Sequence, residues 1–304
     1  MEKIFITGGA GFIGSHLVEE LYKENEIIVY DNLKSGFIDN IKNFKNVTFI
    51  KDDILNYDSL KKAMKGCTKV FHLAAEISVA ESMKDPIFTE KVNTHGTINV
   101  LNAMISNNIK NIVFASSAAV YGNSPECPKK VDMPLSPVSP YAISKLSGEY
   151  YVKMYSKEYG IKGVITRFFN VFGERQNPNS TYAAAMPIFI SRALNNNEIT
   201  IFGDGKQTRD FIYVKDLVNY LIRLSDSGNG IYNIGYGKYI TINNLVLLIK
   251  KLTNSSSVVK YDLPRPGDVK YSYADVTRIK DEIKIDLIGL EEGIKRTINY
   301  FKSL

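Results

Sequence analysis

The chain has 304 residues, 44% hydrophobic and 23% charged, which fits one large globular domain or two packed lobes and excludes a disordered or fibrous protein. Its formal net charge is +6, yet the lysines are scattered without a basic block, so a solvated surface fits better than nucleic-acid binding. Cys67 and Cys127 stand in no metal or redox spacing, and His16, His72 and His95 in no ligand spacing, so no metal site is expected.

The first strand, Lys3 to Thr7, begins almost at Met1. No apolar run approaches the ~20 residues of a membrane span. A cytoplasmic chain with no membrane partner is expected. The turn Gly8-Gly9-Ala10-Gly11-Phe12-Ile13-Gly14 follows, and a helical run through Leu17, Val18 and Leu21. Gly8 permits a tight turn, Gly11 lets backbone approach a pyrophosphate, and Gly14 lets the helix pack closely. The helix N-terminus offers N–H groups and positive dipole to phosphates. A second strand, Ile27 to Tyr30, ends in Asp31. An acid about 20 residues beyond such a turn is placed to accept from a ribose hydroxyl, and its charge repels a 2′-phosphate. The expected ligand is therefore NAD and not NADP.

A third strand, Val47 to Ile50, leads to a helix over 59–65 and a fourth strand from Val70 to Leu73, followed by the small Ala74 and Ala75. A helix around Val92–Leu101 returns the chain to a fifth strand, Asn111 to Ala115. This alternation predicts an α/β fold, a doubly wound parallel sheet with ligands at the carboxyl ends of the strands. Ser116-Ser117-Ala118-Ala119 sits at one such end. Ser117 fits two readings there, a turn cap or a hydroxyl that contacts substrate. A Pro-rich loop delivers the chain to Pro140, in the first turn of a helix. Tyr141 and Lys145, four apart, share one face of that helix. A phenol beside an ammonium loses its proton more readily, which makes Tyr141 a candidate acid/base.

In the second half, the run from Ile199 to Val214 reads as a strand, a tight turn and a second strand. Arg209 and Arg265 carry guanidinium groups that match phosphate geometry. Helices are expected near 216–224, 242–251 and 290–300. The last carries Ile294, Ile298 and Phe301 at helical spacing for core packing.

Thr7–Gly14, Asp31-Asn32-Leu33, His72-Leu73-Ala74-Ala75, Ser116–Gly122, Tyr141-Ala142-Ile143-Ser144-Lys145 and Arg167–Gly173 occur in order along the chain. Together they resemble the extended short-chain dehydrogenase/reductase superfamily, in its nucleotide-sugar epimerase/dehydratase branch. The resemblance implies a Rossmann-type NAD-binding domain over 1–170, with 203–235 packing back onto it. A smaller C-terminal α/β lobe, 171–202 and 236–304, is implied for a UDP-sugar. The implied cofactor set begins with Gly8, Gly11, Phe12, Ile13, Gly14, Asp31, Asn32, Leu33, Ser35 and Gly36. It continues through Asp53, Ile54, Leu73, Ala74, Ala75, Asn93, Tyr141, Lys145 and Phe169. The implied substrate set is Ser117, Tyr141, Asn170, Phe202, Arg209, Arg265, Asp268 and Ser272. A homodimer paired through helices that include the Tyr141 helix is also implied.

Members of this branch share a first step: a Tyr phenolate removes the sugar O4 proton while C4 passes hydride to NAD. The resemblance implies that Lys145, with the positive nicotinamide, lowers the pKa of Tyr141, and that Ser117 completes the catalytic group. Dehydratases of the branch carry acids directly after the position matching Ser117. Ala118 and Ala119 stand here and move no proton, which favours return of hydride to the other face of the 4-keto sugar, a 4-epimerisation. A small residue four beyond the Asp of the Arg-Pro-Gly-Asp run admits an N-acetyl group in the family. By alignment that residue is Ser272, which implies UDP-N-acetylglucosamine as well as UDP-glucose. A UDP-glucuronate 4-epimerase and a non-catalytic NAD-binding regulator are the alternatives.

Overall fold

The computed structural model describes residues 1–178, 184–264 and 269–304. The chain forms two compact units. The first comprises Met1–Val120, Pro137–Arg167 and Val218–Tyr232; the second comprises Tyr121–Ser136, Phe168–Leu217 and Asn233–Leu304. The elements run β1 (Lys3–Thr7), α1 (Phe12–Leu21), β2 (Glu26–Tyr30), β3 (Val47–Ile50), α2 (Tyr57–Ala63), β4 (Lys69–His72), α3 (Val79–Lys84), α4 (Pro86–Glu90), α5 (Gly96–Ser106), β5 (Asn111–Ser117), α6 (Pro140–Tyr159) and β6 (Lys162–Phe168). They continue with β7 (Asn170–Phe172), α7 (Ala185–Leu194), β8 (Ile199–Phe202), β9 (Thr208–Arg209), β10 (Phe211–Tyr213), α8 (Val214–Ser227), β11 (Gly230–Ile234), β12 (Ile240–Thr241), α9 (Ile242–Thr253), β13 (Val259–Asp262), α10 (Thr277–Glu282) and α11 (Leu290–Lys302).

The first unit is built on a seven-stranded sheet of order β11-β6-β5-β4-β1-β2-β3. Its β1–β2, β2–β3, β1–β4 and β4–β5 pairs are parallel. Buried on both faces, such strands read as apolar runs. Phe5, Ile28, Val70, Ile112 and Phe114 accordingly join Val100, Leu101, Met104 and Val152 of the helices in one core. The strand order reverses between β1 and β4, and ligands of doubly wound sheets bind beside that point. The expected Rossmann-type fold is the observed one.

Local chemistry moved two expected helix boundaries. α2 starts at Tyr57, two residues earlier than expected, because the Asn56 side chain caps it by accepting from Ser59 N–H. The helix expected near 92–101 is longer and interrupted. Asp85 caps α4 with Pro86 at its first position, a π-helical turn spans Lys91–His95, and α5 continues to Ser106. α6 begins as its sequence dictates, with the Ser139 hydroxyl accepting from Ala142 N–H and Pro140 in the first turn. It ends at Gly160, whose φ of 64° is the left-handed cap that glycine adopts without penalty.

In the second unit β7 pairs parallel with β10, β8 parallel with β13, and β9 antiparallel with β12. The second strand expected after the 203–207 turn is therefore two strands, which part at Asp210. The Asp210 carboxylate accepts from the backbone N–H groups of Tyr236, Gly237 and Ala274, and its carbonyl accepts from Asn170. α11 lies on this unit with Ile294 and Ile298 buried and Phe301 half-buried. Among the described residues no helix is long and apolar enough to cross a membrane, and no group of His, Cys, Asp and Glu could hold a metal ion.

Candidate functional site

The glycine turn occupies the sheet's point of reversal. A Cβ on Gly14 would fall 2.1 Å from Gly8 O, and one on Gly8 would fall 2.8 Å from Ala74 N, with Gly8 at φ 70°. No other residue fits either position. Gly11 donates its N–H back to Gly8 O and caps α1, while Phe12 and Ile13 are half-buried. The α1 N-terminus is thus left as bare backbone beside the turn, the arrangement that receives a pyrophosphate. At the end of β2, Asp31 accepts from Ala10 N–H at 3.0 Å and from Leu33 N–H at 2.8 Å. It is only 8% exposed. Burial raises its pKa, opposed by those two N–H groups.

The neighbouring positions form a rim. Asn32 donates to Asp53 Oδ2, whose other oxygen accepts from Leu55 N–H. Ser35 is exposed, and Gly36 is buried against Ala10 backbone, which a Cβ would meet at 2.8 Å. Ile54 is buried under Asn99, which donates to its carbonyl. Leu73, Ala74 and Ala75 are half-buried after β4. This cradle of glycines closed by a buried carboxylate fits a dinucleotide with an unphosphorylated ribose. Asn93 is 3% exposed and its carboxamide is already engaged. It accepts from Glu76 N–H and donates to Glu76 O and to Ser144 Oγ.

β5 and α6 supply the reactive groups. Ser117 ends β5 and caps the turn that follows. Its hydroxyl accepts from Ala119 N–H, and it is also the group that lowers the Tyr141 pKa by side-chain hydrogen bonding. Burial, the larger influence, raises that pKa. Lys145 is buried with Nζ donating to Ala115 O at 2.9 Å, and Ser117 is the group that opposes burial at Tyr141. Burial brings the pKa of Lys145 itself down to about 8.

The helix carrying these groups is tied down by residues that the sequence reading passed over. Tyr141, Lys145 and Glu149 follow one another at i, i+4, i+8 along one face. Glu149 Oε1 accepts from Arg167 Nε at 2.8 Å and from Ser116 Oγ at 2.6 Å, and Glu149 Oε2 from Arg167 Nη2 at 2.7 Å. Gly148 lies flat on Phe114, whose ring a Cβ would meet at 2.4 Å.

The second unit holds the remaining expected positions. Asn170 donates its side-chain N–H to Asp210 O, and the buried Phe169 stacks obliquely near Tyr121, ring centroids 6.4 Å apart. Arg209 is half-buried, with Nη1 on Thr208 O, and Phe202 accepts at its carbonyl from Gln207. Ser272 is half-buried in a segment where Thr208 N–H donates to Lys270 O and Lys129 N–H to Tyr273 O. Tyr273 is paired with Tyr239 at 5.1 Å between centroids. Arg265 and Asp268 lie outside the described residues.

Comparison with known proteins places this geometry. The sequence model of the NAD dependent epimerase/dehydratase family matches residues 4–235. A solved UDP-N-acetylglucosamine 4-epimerase from Methanobrevibacter ruminantium M1, in complex with UDP-N-acetylmuramic acid, is 43% identical. Its TM-score is 0.95, with 99% of this chain and 98% of that one covered. A UDP-glucose 4-epimerase from Thermotoga maritima, solved with UDP-glucose, is 36% identical with a TM-score of 0.95 and 99% of each chain covered. A UDP-glucose 4-epimerase from Thermus thermophilus in complex with NAD is 34% identical with a TM-score of 0.92, again over 99% of each chain. The chain belongs to the NAD-dependent epimerase/dehydratase family.

Proposed function

We propose that this protein inverts C4 of a UDP-hexose, interconverting UDP-glucose with UDP-galactose and UDP-N-acetylglucosamine with UDP-N-acetylgalactosamine. The observation that carries the reading is the pairing of Tyr141 with Ser117 at the end of β5, where Ala118 and Ala119 follow and supply no acid. The full-length likeness to UDP-sugar 4-epimerases supports it.

NAD would be held by Gly8, Gly11 and Gly14 at its pyrophosphate and by Asp31 at the adenosine ribose, and there it would supply a reversible hydride acceptor for C4 of the sugar. Tyr141 removes the proton from the sugar O4 and later returns it, as a general base and then a general acid. Ser117 hydrogen-bonds that oxygen and the phenol together. Lys145 holds the nicotinamide ribose from its seat on Ala115 O. In the second unit Asn170, Phe202 and Arg209 bind the UDP moiety, joined by Arg265 and Asp268. With no acid beside Ser117 to expel water, the 4-keto sugar turns over and is reduced on its other face.

The sugar class rests on Ser272. Neighbours in an extended segment alternate in direction, so Ser272 and the flanking tyrosines point to opposite sides. A hydroxymethyl at that position leaves room for an N-acetyl group. The homodimer expected for this protein has its support on α3, α4 and α6 and the residue that leads into α3, where Ile77, Met83, Ile87, Ile143, Tyr150 and Met154 are exposed.

The test is turnover. Purified protein is incubated with UDP-glucose, UDP-N-acetylglucosamine and UDP-glucuronate, and the 4-epimers are resolved. Epimers of the first two are expected. Turnover of UDP-glucuronate alone would select the uronate reading, and NAD binding with no turnover of any of the three would leave a non-catalytic NAD-binding protein.

A further inference from the structure

A buried run of hydrogen bonds joins the glycine turn to the first turn of the Tyr141 helix, and its directions can be assigned. Thr97 Oγ1 lies 2.5 Å from Asn93 O, a carbonyl that only accepts, so the Thr97 proton is spent there. Thr97 Oγ1 must then accept from His72 Nε2, 3.0 Å away. His72 is therefore the Nε2–H tautomer, and its Nδ1 accepts from Thr7 Oγ1 at 2.8 Å. The Thr7 oxygen in turn accepts from Leu73 and Ala74 N–H, at 3.2 and 3.1 Å. From Asn93 the run continues through its side chain to Ser144 Oγ at 2.9 Å, and Ser144 donates to Tyr141 O at 2.8 Å. Thr7, His72, Asn93, Thr97 and Ser144 are all buried.

Each end of this run sits on the candidate machinery. Thr7 immediately precedes Gly8, and Ala74 is the residue against which Gly8 is pressed. Tyr141 is the proposed acid/base. His72 stands midway and has both ring nitrogens satisfied as a neutral imidazole. A fully satisfied buried network of this kind fixes geometry, because any other rotamer of a member leaves a polar atom without a partner.

We propose that His72 is a positioning residue for the epimerase reaction, holding the π-helical turn at Asn93, and through Asn93 and Ser144 the first turn of α6, in register with the NAD-binding turn. The inference rests on the epimerase reading for its kinetic consequence alone; the linkage itself does not depend on which reaction is catalysed. A misplacement of a catalytic group by about 1 Å costs on the order of 100-fold in rate, so His72 acts on turnover without touching substrate.

The experiment uses full-length protein with His72→Phe, His72→Gln and Ser144→Ala. Gln presents an acceptor oxygen and a donor nitrogen about as far apart as the two ring nitrogens, with the polarity of the assigned tautomer. Two readouts are taken: kcat and KM for UDP-glucose, and amide hydrogen exchange of the peptide covering 139–147. In His72→Phe and in Ser144→Ala, exchange of that peptide is expected to rise. kcat is expected to fall about 10- to 100-fold with KM within about twofold. His72→Gln should recover most of both. If His72→Phe does not fold, Ser144→Ala and His72→Gln carry the test, and Ser144→Ala matching wild type in both readouts overturns the proposal. Lower thermal stability with normal kcat and normal exchange makes His72 merely structural and also overturns it. If wild type turns over no UDP-sugar, the epimerase reading fails and the exchange arm alone decides whether the linkage stands.

Discussion

Arg167 on β6 meets Glu149 on α6 through two parallel hydrogen bonds of 2.8 and 2.7 Å, with side-chain exposures of 1% and 0%. The pair is completed by Ser116, the residue before Ser117. It therefore links the middle of the Tyr141 helix to the strand end that carries the Ser117 hydroxyl. Removing one partner of a buried pair takes away the contact that offsets the burial of the other, which costs about 3–5 kcal/mol. Glu149→Gln and Arg167→Met should each lower the unfolding free energy by that order. Glu149→Gln/Arg167→Met together should cost less than the sum of the singles, since no lone charge remains. Additive losses in equilibrium unfolding would mean that the two side chains do not act as a pair.

Much of the first unit was legible because its signals are local. Each strand is an apolar run, Gly8 to Gly14 need bare backbone, and Ser139-Pro140 announces a helix start. The clamp also left a trace: Arg167 is a charge in the buried half of β6, and Glu149 lies on the face already marked by Tyr141 and Lys145. What the sequence conceals is where a side chain spends its hydrogen bonds. Asn93 carries the polarity expected of a cofactor ligand, yet Glu76 and Ser144 take up its carboxamide. Asp210 reads as a residue within a strand, and its three backbone partners, 26 to 64 residues away, split that strand in two. Such partners are set by tertiary contact and have no local pattern.

Tyr141 is raised by burial, and only the Ser117 hydroxyl opposes the shift. A phenol held in that way is a poor base until positive charge is brought near it. Tyr141→Phe should therefore abolish proton transfer, lowering kcat by about 100- to 10,000-fold, with NAD affinity little changed. Ser117→Ala should produce a smaller loss and move the acidic limb of the pH–rate profile upward, because the group that lowers the phenol is gone and the phenolate is the active base. Near-normal turnover by Tyr141→Phe would remove Tyr141 from the role of base.

His72 predicts a pH dependence of stability. Burial, with a smaller contribution from the Lys145 charge, lowers its pKa to about 3. The unfolded chain then binds a proton at His72 that the folded chain refuses between about pH 3 and the ordinary value near 6.5. Stability rises with pH across that window, and His72 contributes increasing destabilisation as the solution is acidified through it. Asp216 works the other way. Burial raises it to about 6, so it opposes folding as pH rises from about 4 through 6. The net slope of wild type mixes these two with other shifted carboxyls, including Asp31 and Asp210, which burial also raises. The difference between wild type and His72→Gln in urea midpoints from pH 4 to 7 isolates the histidine, and it should shift in favour of the variant as pH falls. A difference that is flat with pH would mean that His72 is not held neutral.

The apolar residues left outward on α3, α4 and α6, and just ahead of α3, predict self-association. Ile87 is 80% exposed, Ile77 66% and Met83 62%, with Ile143, Tyr150 and Met154 on the neighbouring helix. Exposed apolar side chains gathered on packed helices mark an interaction face. Ile87→Glu with Met154→Glu should convert a dimer to a monomer in sedimentation or light scattering, with the far-ultraviolet spectrum unchanged. A wild type that sediments as a monomer at all concentrations would remove the proposal.

Ser272 predicts the order in which substrates are lost. Thr208 and Lys129 fix the backbone on either side of it, so the segment cannot easily shift to admit a larger side chain. Tyr273 is already paired with Tyr239. A phenol introduced at 272 would therefore enter the space that the serine leaves open. Ser272→Tyr should reduce kcat/KM for UDP-N-acetylglucosamine by about 100-fold or more while UDP-glucose falls by about tenfold or less, since steric exclusion acts on the larger sugar and leaves the shared contacts in place. Both reactions report on the same Tyr141 and the same NAD, so the ratio of the two rates cancels any general damage. Equal losses for both sugars would show that Ser272 does not face the position at C2, and the basis for including the N-acetylated pair would go with it.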